Sequence, residues 1–301
     1  MLTSNQIQQA IVFNTKLFNK SWTLSDLPSR FSTLDPTTQE FALAVADFQK
    51  SANLSVDGKL GVGETLPAMK QAKKRENNKG RVLGFDVSGN NGELKTLGVD
   101  KVFKTAYDAG YRFVYIKASE GDTYQYSRYK ECTESARANG LITGPYHFAT
   151  PTPTAKDAQK EVSNFLKTLD KVWGPGQLPA MLDFEYPSKY LQGMTAKDLI
   201  SWTHDFITTF NGPIGFYTYL SYWRERLDRT KDGLLTSLPL WQAEYPNKVD
   251  WKVDEPTKIG WDDWTIWQFA GGGGRIPGLQ GAYDQNVFNG DENALKKFTR
   301  S

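Results

Sequence analysis

Cysteine is almost absent: Cys132 stands alone in 301 residues. That excludes a disulfide within the chain and any cysteine-based metal cluster. Histidine is nearly as scarce. His147 and His204 lack the spacing of a metal site, so neither metal nor cofactor is expected. Cys132 falls on an expected helix, as a small buried hydrophobe. An excess of one charge is missing too. Lys and Arg number 36 against 34 Asp and Glu, a net +2, which argues against nucleic acid as a partner. No apolar run is long enough to span a bilayer, so no membrane insertion is expected. The opening MLTSNQIQQAIVFNTKLF lacks the basic stretch and apolar run of a signal peptide. A chain made in the cytoplasm is expected, with a monomer as its state.

Aromatic residues, by contrast, are plentiful, with 14 Tyr, 17 Phe and 9 Trp. Most serve as core, and some are available to line a carbohydrate cleft. The chain opens with two amphipathic helices. The first spans residues 4–18 with Ser4 as its cap, and the second spans Pro36–Lys50 with Phe41, Val45 and Phe48 on one stripe. A third begins at Thr65, after an Asp57-Gly58 turn. Residues 71–81, QAKKRENNKGR, have no apolar residue after Ala72 and read as a linker. The expected organisation is a small all-α three-helix domain over 1–72, a linker over 73–80, and a larger domain over 81–301.

In that larger part, short apolar runs alternate with helical periods, the pattern of a parallel sheet with crossover helices. Strands are expected at 82–88, 112–119, 141–148, 178–185, 213–219, 238–244, 264–270 and 281–287. Helices are expected at 99–109, 126–139, 154–170 and 195–210, with a shorter one at 221–229. Eight strands predict an α/β fold, a closed (β/α)-barrel. The connections after the sixth and seventh strands are too irregular for helices, so the helix ring is incomplete.

The most informative stretch is Leu178–Pro187, LPAMLDFEYP. In a strand, Ala180, Leu182 and Phe184 share one apolar face, and Met181, Asp183 and Glu185 share the other. Ionised carboxylates are costly to desolvate, so two of them there are either paired or at a cleft. Other acids also follow strands: Asp86, Glu120, Glu244 and, in the last strand, Asp284. A barrel keeps its site at the C-terminal strand ends, and these acids converge there. Lys117 is a base that can pair one of them. Clustered like charges raise some carboxyl pKa values. A glycosidase needs one proton-donating acid and one carboxylate that stabilises positive charge. Tyr146, Phe148, Tyr186, Tyr217, Tyr219, Trp241, Tyr245 and Trp267 are expected near the same rim. Gly271–Gly274 reads as a flexible rim loop, since no phosphate-binding pattern follows it.

Residues 81–293 resemble family 25 glycoside hydrolases, the Chalaropsis-type lysozymes. The matching pieces are GFDVS, FVYIKASEG, GPYHF, MLDFE, GFYTY, LWQAEY, WTIWQF and YDQNVF, in the family's order. Residues 1–72 resemble a three-helix peptidoglycan-binding domain, through Phe48-Gln49, Leu54, Val56–Gly58, Gly61 and Thr65. These resemblances imply a muramidase that cuts the β-1,4 bond between N-acetylmuramic acid and N-acetylglucosamine. They imply Glu185 as general acid and Asp183 as its partner, with Asp86 and Asp284 completing the catalytic set. Tyr146, Tyr217, Trp241, Glu120 and Gln268 would bind substrate. The chain departs from the family at Gly89-Asn90-Asn91, where a tryptophan is usual. The modular plan resembles a bacteriophage endolysin, made in the host cytoplasm and reaching the bacterial wall after the membrane is breached. Along a strand, residues 183 and 185 lie about 6.5–7 Å apart, between the retaining and inverting ranges. Two other readings stay open at this point: a non-catalytic glycan-binding barrel, and an enzyme acting on another N-acetylated polymer.

Overall fold

The computed structural model describes residues 2–77, 80–169, 172–229 and 232–300. The chain forms two compact units, Met1–Lys79 and Gly80–Ser301.

The first unit holds α1 (Ser4–Leu17), α2 (Gln39–Ser51) and α3 (Thr65–Asn77). Thr3, not Ser4, caps α1: its hydroxyl accepts from the Gln6 N–H, and the Gln6 side chain accepts from the Thr3 N–H. Trp22, Phe31, Phe41, Val45, Leu60 and Met69 form the core, with Trp22 stacked on Phe41 at 5.5 Å. Two buried amides fix the turn after α2. Asn14 bridges Gly58 O and Leu60 N at 3.0 and 2.7 Å. Gln49 accepts from the N–H groups of Asp57 and Gly58, and donates to Asp57 and Thr65. Gly58 sits at φ +71, where a Cβ would meet Ala42 O at 2.9 Å. The helix α3 continues through Asn77, so the expected linker is helical over 73–77. Lys, Arg and Glu are good helix formers even where no apolar stripe marks the period. Asn78 and Lys79 of that linker lie outside the described residues.

The second unit runs β1 (Val82–Val87), α4 (Glu93–Thr96), α5 (Val99–Asp108), β2 (Phe113–Glu120), β3 (Tyr124–Gln125), α6 (Tyr129–Ala138), β4 (Ile142–Phe148), α7 (Asp157–Leu169) and β5 (Ala180–Asp183). It continues with α8 (Ala196–Phe210), β6 (Ile214–Tyr219), α9 (Leu220–Glu225), α10 (Gly233–Thr236), β7 (Leu240–Ala243), β8 (Ile266–Ala270), β9 (Asp284–Phe288) and α11 (Glu292–Lys297). Every expected strand is present. The helix expected to reach Asp170 is described only to Leu169. The sheet order is β1-β9-β8-β7-β6-β5-β4-β2, closed by the pairing of β1 with β2, with β3 a short spur on β2. No helix fills the connections from β7 to β8 and from β8 to β9, so the ring is incomplete as expected.

One expectation fails. The barrel is not wholly parallel, because β9 runs antiparallel to both β8 and β1. A parallel neighbour needs a crossover, and residues 271–283 return without one. The reversal has a useful result. It is the start of β9, not its end, that lies at the rim with the C-terminal ends of the other strands, so Asp284 still reaches the site.

Side chains alternate as the strand pattern predicts. Ala180, Leu182 and Phe184 pack outward against the helices, and Met181 packs inward with Phe113, Tyr115, Tyr217 and Trp241. Room for these interior rings comes from glycine: a Cβ at Gly84 would meet the Phe113 ring at 2.3 Å, and one at Gly144 the Tyr115 ring at 2.4 Å.

Candidate active site

A cavity of about 400 Å³ opens at this rim, lined by Asp86, Asp183, Glu185 and Asp284 among others. Three strands supply them: β1, β5 and β9. Asp86 and Asp284 are direct cross-strand partners on β1 and β9, an arrangement that repels when both are charged. Asp183 ends β5, and Glu185 follows two residues on, so the two project to the same side.

Asp86 is the most elaborately held. Gln268 Nε2 and Asn286 Nδ2 both donate to its Oδ2 at 2.8 Å. Gln268 Oε1 in turn accepts from the hydroxyls of Tyr217 at 2.9 Å and Tyr245 at 2.5 Å. Asn286 Oδ1 accepts from Trp241 Nε1 at 2.8 Å. Three aromatic donors thus orient two amides, which fix one carboxylate. Burial, then the facing Asp284, pushes the Asp86 carboxyl well above its ordinary range, against the pull of those two amides.

Asp183 differs. Its Oδ1 is buried and has no hydrogen-bond partner among the described residues. A buried acceptor left without a donor is unfavourable, and here it borders the cavity. Burial, then Glu185, raises its carboxyl pKa well above normal, and Lys117 opposes this. Glu185 is raised from 4.5 to about 6, chiefly by burial, with the neighbouring Tyr217 hydroxyl opposing and Asp284 adding to the rise. Asp284 is also raised by burial, while the Gly272 N–H donates to its Oδ1 at 2.6 Å. The glycine run therefore packs on the site: a Cβ at Gly271 would meet the Tyr245 ring, and one at Gly274 the Tyr283 carbonyl.

Four acids around one cavity, with a single lysine beside them, cannot all ionise cheaply. Such a site retains protons near neutrality and favours positive charge in whatever it binds. Among the described residues no group of side chains could hold a metal ion. The arrangement suits proton donation to an oxygen, with a developing cation held nearby.

The sequence pattern described as glycosyl hydrolases family 25 matches residues 85–279. The chain belongs to this family. Lysozyme M1 of Streptomyces globisporus is 31% identical over 218 residues, covering 69% of this chain and 68% of that one. The N,O-diacetylmuramidase of Arthroderma benhamiae is 32% identical over 229 residues, covering 73% and 88%. Among solved structures, the bacterial lysozyme from Streptomyces coelicolor superposes with a TM-score of 0.59 at 27% identity, covering 73% of this chain and 97% of that one. A family GH25 lysozyme from Aspergillus fumigatus gives 0.58 at 28%, covering 73% and 100%.

This family 25 glycoside hydrolase gathers most of the residues singled out in the sequence. Tyr146, Tyr217, Trp241 and Gln268 line the cavity with the four acids. Trp241 is its floor rather than an open stacking face. It is 2% exposed, wedged against Tyr115 at 4.8 Å and Tyr217 at 4.9 Å. Glu120 does not line the cavity. It pairs with Lys117 at 2.5 Å, and Lys117 is the residue that faces inward, 4.6 Å over the Phe148 ring. The pairing of β2 with β4 shifts register between Lys117 and Ser119, next to this pair. Glu244 is also outside the ring of acids, since its carboxylate accepts from Thr257 N and Oγ1. Trp267 points into the outer core, with Nε1 on Glu244 O. In place of the family's tryptophan, Ser88, Asn90 and Asn91 form a polar wall, with Asn91 tied to Ser88 N and Ala282 O.

Sequence reasoning missed Asn286 and the Gly272 N–H. Asn286 had a visible signal, two residues from Asp284 and so on its face. The Gly272 amide had none. Ser119, His147 and Glu161 are linked in turn at 2.8 Å, the residue types of a nucleophilic triad. All three are buried, Ser119 and His147 at 0% exposure, so no substrate reaches them. They tie α7 to β2 and β4 behind the site. His204, with no partner visible in the sequence, meets Asp232 at 2.8 Å.

Proposed function

We propose that this family 25 enzyme is a muramidase that hydrolyses the β-1,4 bond between N-acetylmuramic acid and N-acetylglucosamine, with Glu185 as general acid. The observation that carries this is Glu185 at the cavity edge, with its carboxyl raised to about 6, beside the buried, donor-seeking Oδ1 of Asp183. The names of its relatives, lysozyme and N,O-diacetylmuramidase, support the same substrate. Glu185 protonates the bridging oxygen, and the bond to the anomeric carbon breaks. The sugar's own 2-acetamido oxygen attacks that carbon. Its N–H is held by Asp183 Oδ1, while Asp86 and Asp284 stabilise the positive charge. Water then opens the cyclic intermediate and returns a proton to Glu185, with net retention.

The helices of residues 1–79 serve as a wall-binding module that raises the local substrate concentration. Digestion of purified peptidoglycan, with mass spectrometry of the new reducing ends, tests both parts. Muramic acid ends are expected, released several-fold more slowly by a chain lacking residues 1–79. Glucosamine ends, or no release, overturn the muramidase; equal rates overturn the binding role. We further propose that the chain is a phage endolysin that waits in the host cytoplasm. Cells expressing it should stay intact until their membrane is permeabilised, then lyse. Lysis with an intact membrane would refute this.

A further inference from the structure

The geometry points to a second recognition site: a trough leading away from Glu185 that reads carboxylates of the peptide borne by the departing glycan strand. This rests on the muramidase reading above. Glu185 lines the acidic cavity and also a second hollow of about 470 Å³, walled by Tyr219, Leu220, Arg224 and Tyr245. Leu220 and Arg224 line in turn a third hollow of about 300 Å³, with Trp223, Arg229 and Lys258. Shared lining residues set the three side by side, with Glu185 between the first and second and Leu220 and Arg224 between the second and third.

The charge changes from one to the next. The first cavity is acidic. The second has Glu225 and Glu244 beside Arg224, and Glu244 is taken by Thr257. The third has Arg224, Arg229 and Lys258 and no acid in its lining. None of these three side chains has a hydrogen-bond or ion-pair partner among the described residues. The floor is firm: Trp223 packs on Trp261 at 5.0 Å, and a Cβ at Gly260 would meet the Trp223 ring at 2.3 Å. Asp228 and Arg229 hold left-handed backbone at φ 48 and 51, and the Arg229 N–H donates to Trp223 O at 3.1 Å. Two successive non-glycine residues in that region are uncommon, and here they place Arg229 on the hollow.

The order of the hollows matches the order of sugars in the polymer. A general acid donates to the bridging oxygen, so the departing sugar lies on the far side of Glu185. That sugar is N-acetylglucosamine, uncharged, and it meets the tyrosine-walled hollow. The next is N-acetylmuramic acid, whose lactyl group carries the peptide and its carboxylates. It arrives where the cations are. Exposed ion pairs of this kind are modest and salt-sensitive.

The test compares soluble glycan strands carrying their peptides with the same strands stripped by an amidase. The full chain should show a KM roughly tenfold lower on the peptide-bearing strands, a preference that shrinks as salt rises. In R224Q/R229Q the preference should fall to near one, and Arg224→Lys should retain much of it. A single Lys258→Gln change, expected to reduce the preference partly, serves if the double variant does not fold. A wild-type chain without the preference, or variants that keep it in full, overturns the proposal. In those cases muramic acid ends still appear. Their absence from both substrates overturns the muramidase reading instead.

Discussion

Glu185→Gln is expected to lower kcat about a thousandfold, within the range for removal of a general acid, while binding to the insoluble wall persists. Gln keeps the shape and the contact with Tyr217 but has no proton to give. The wild-type pH profile should match. With the carboxyl at about 6, kcat/KM falls as pH rises through that value, because the donor ionises. In the variant this limb disappears along with the activity. Stability follows the same protonation. A carboxyl whose pKa is raised on folding favours the fold fully below about pH 4.5 and loses that contribution as pH rises through about 6. Above that, the wild type holds a charge in a poorly solvated place, opposite Asp284. Glu185→Gln is therefore expected to raise stability at pH 7 by about 1–2 kcal/mol, measurable by urea unfolding at pH 4 and 7. Full turnover by the variant, or equal stability changes at both pH values, would sink the assignment.

Asp183→Asn is expected to lower kcat by about 100- to 1000-fold. Its Oδ1 is the buried acceptor that lacks a donor, and the substrate's acetamide N–H supplies one. Asparagine can place an N–H there instead, which repels that donor. On the proposed substrate-assisted route the acetamide, not Asp183, attacks the anomeric carbon, so azide should not restore activity. Azide rescue with formation of a glycosyl azide would show that Asp183 forms a covalent bond, and would overturn the substrate-assisted route. A kcat equal to wild type would overturn any role.

The legible part of this site followed from local rules. The period of two in LPAMLDFEYP put Asp183 and Glu185 on the face opposite Leu182 and Phe184, and the packing agrees. Less legible was which of the rim acids count. Glu120 and Glu244 end strands just as Asp86 does, yet each is taken by a neighbour, Lys117 or Thr257. Those partners lie three and thirteen residues away, and nothing in the pattern selects them. The polar wall at Ser88–Asn91 likewise depends on a contact with Ala282 across the cavity.

The sequence by itself determined the strands, their faces, the helix positions and the acids at strand ends, because these depend on side-chain periodicity and chain propensity. Tertiary structure alone decided the reversal of β9, the relay from Trp241, Tyr217 and Tyr245 through two amides to Asp86, and the gathering of Arg224, Arg229 and Lys258 around one hollow. Each of these joins residues far apart in the chain. Their pairing is set by barrel closure, and so are the burial and crowding that raise the Glu185 carboxyl.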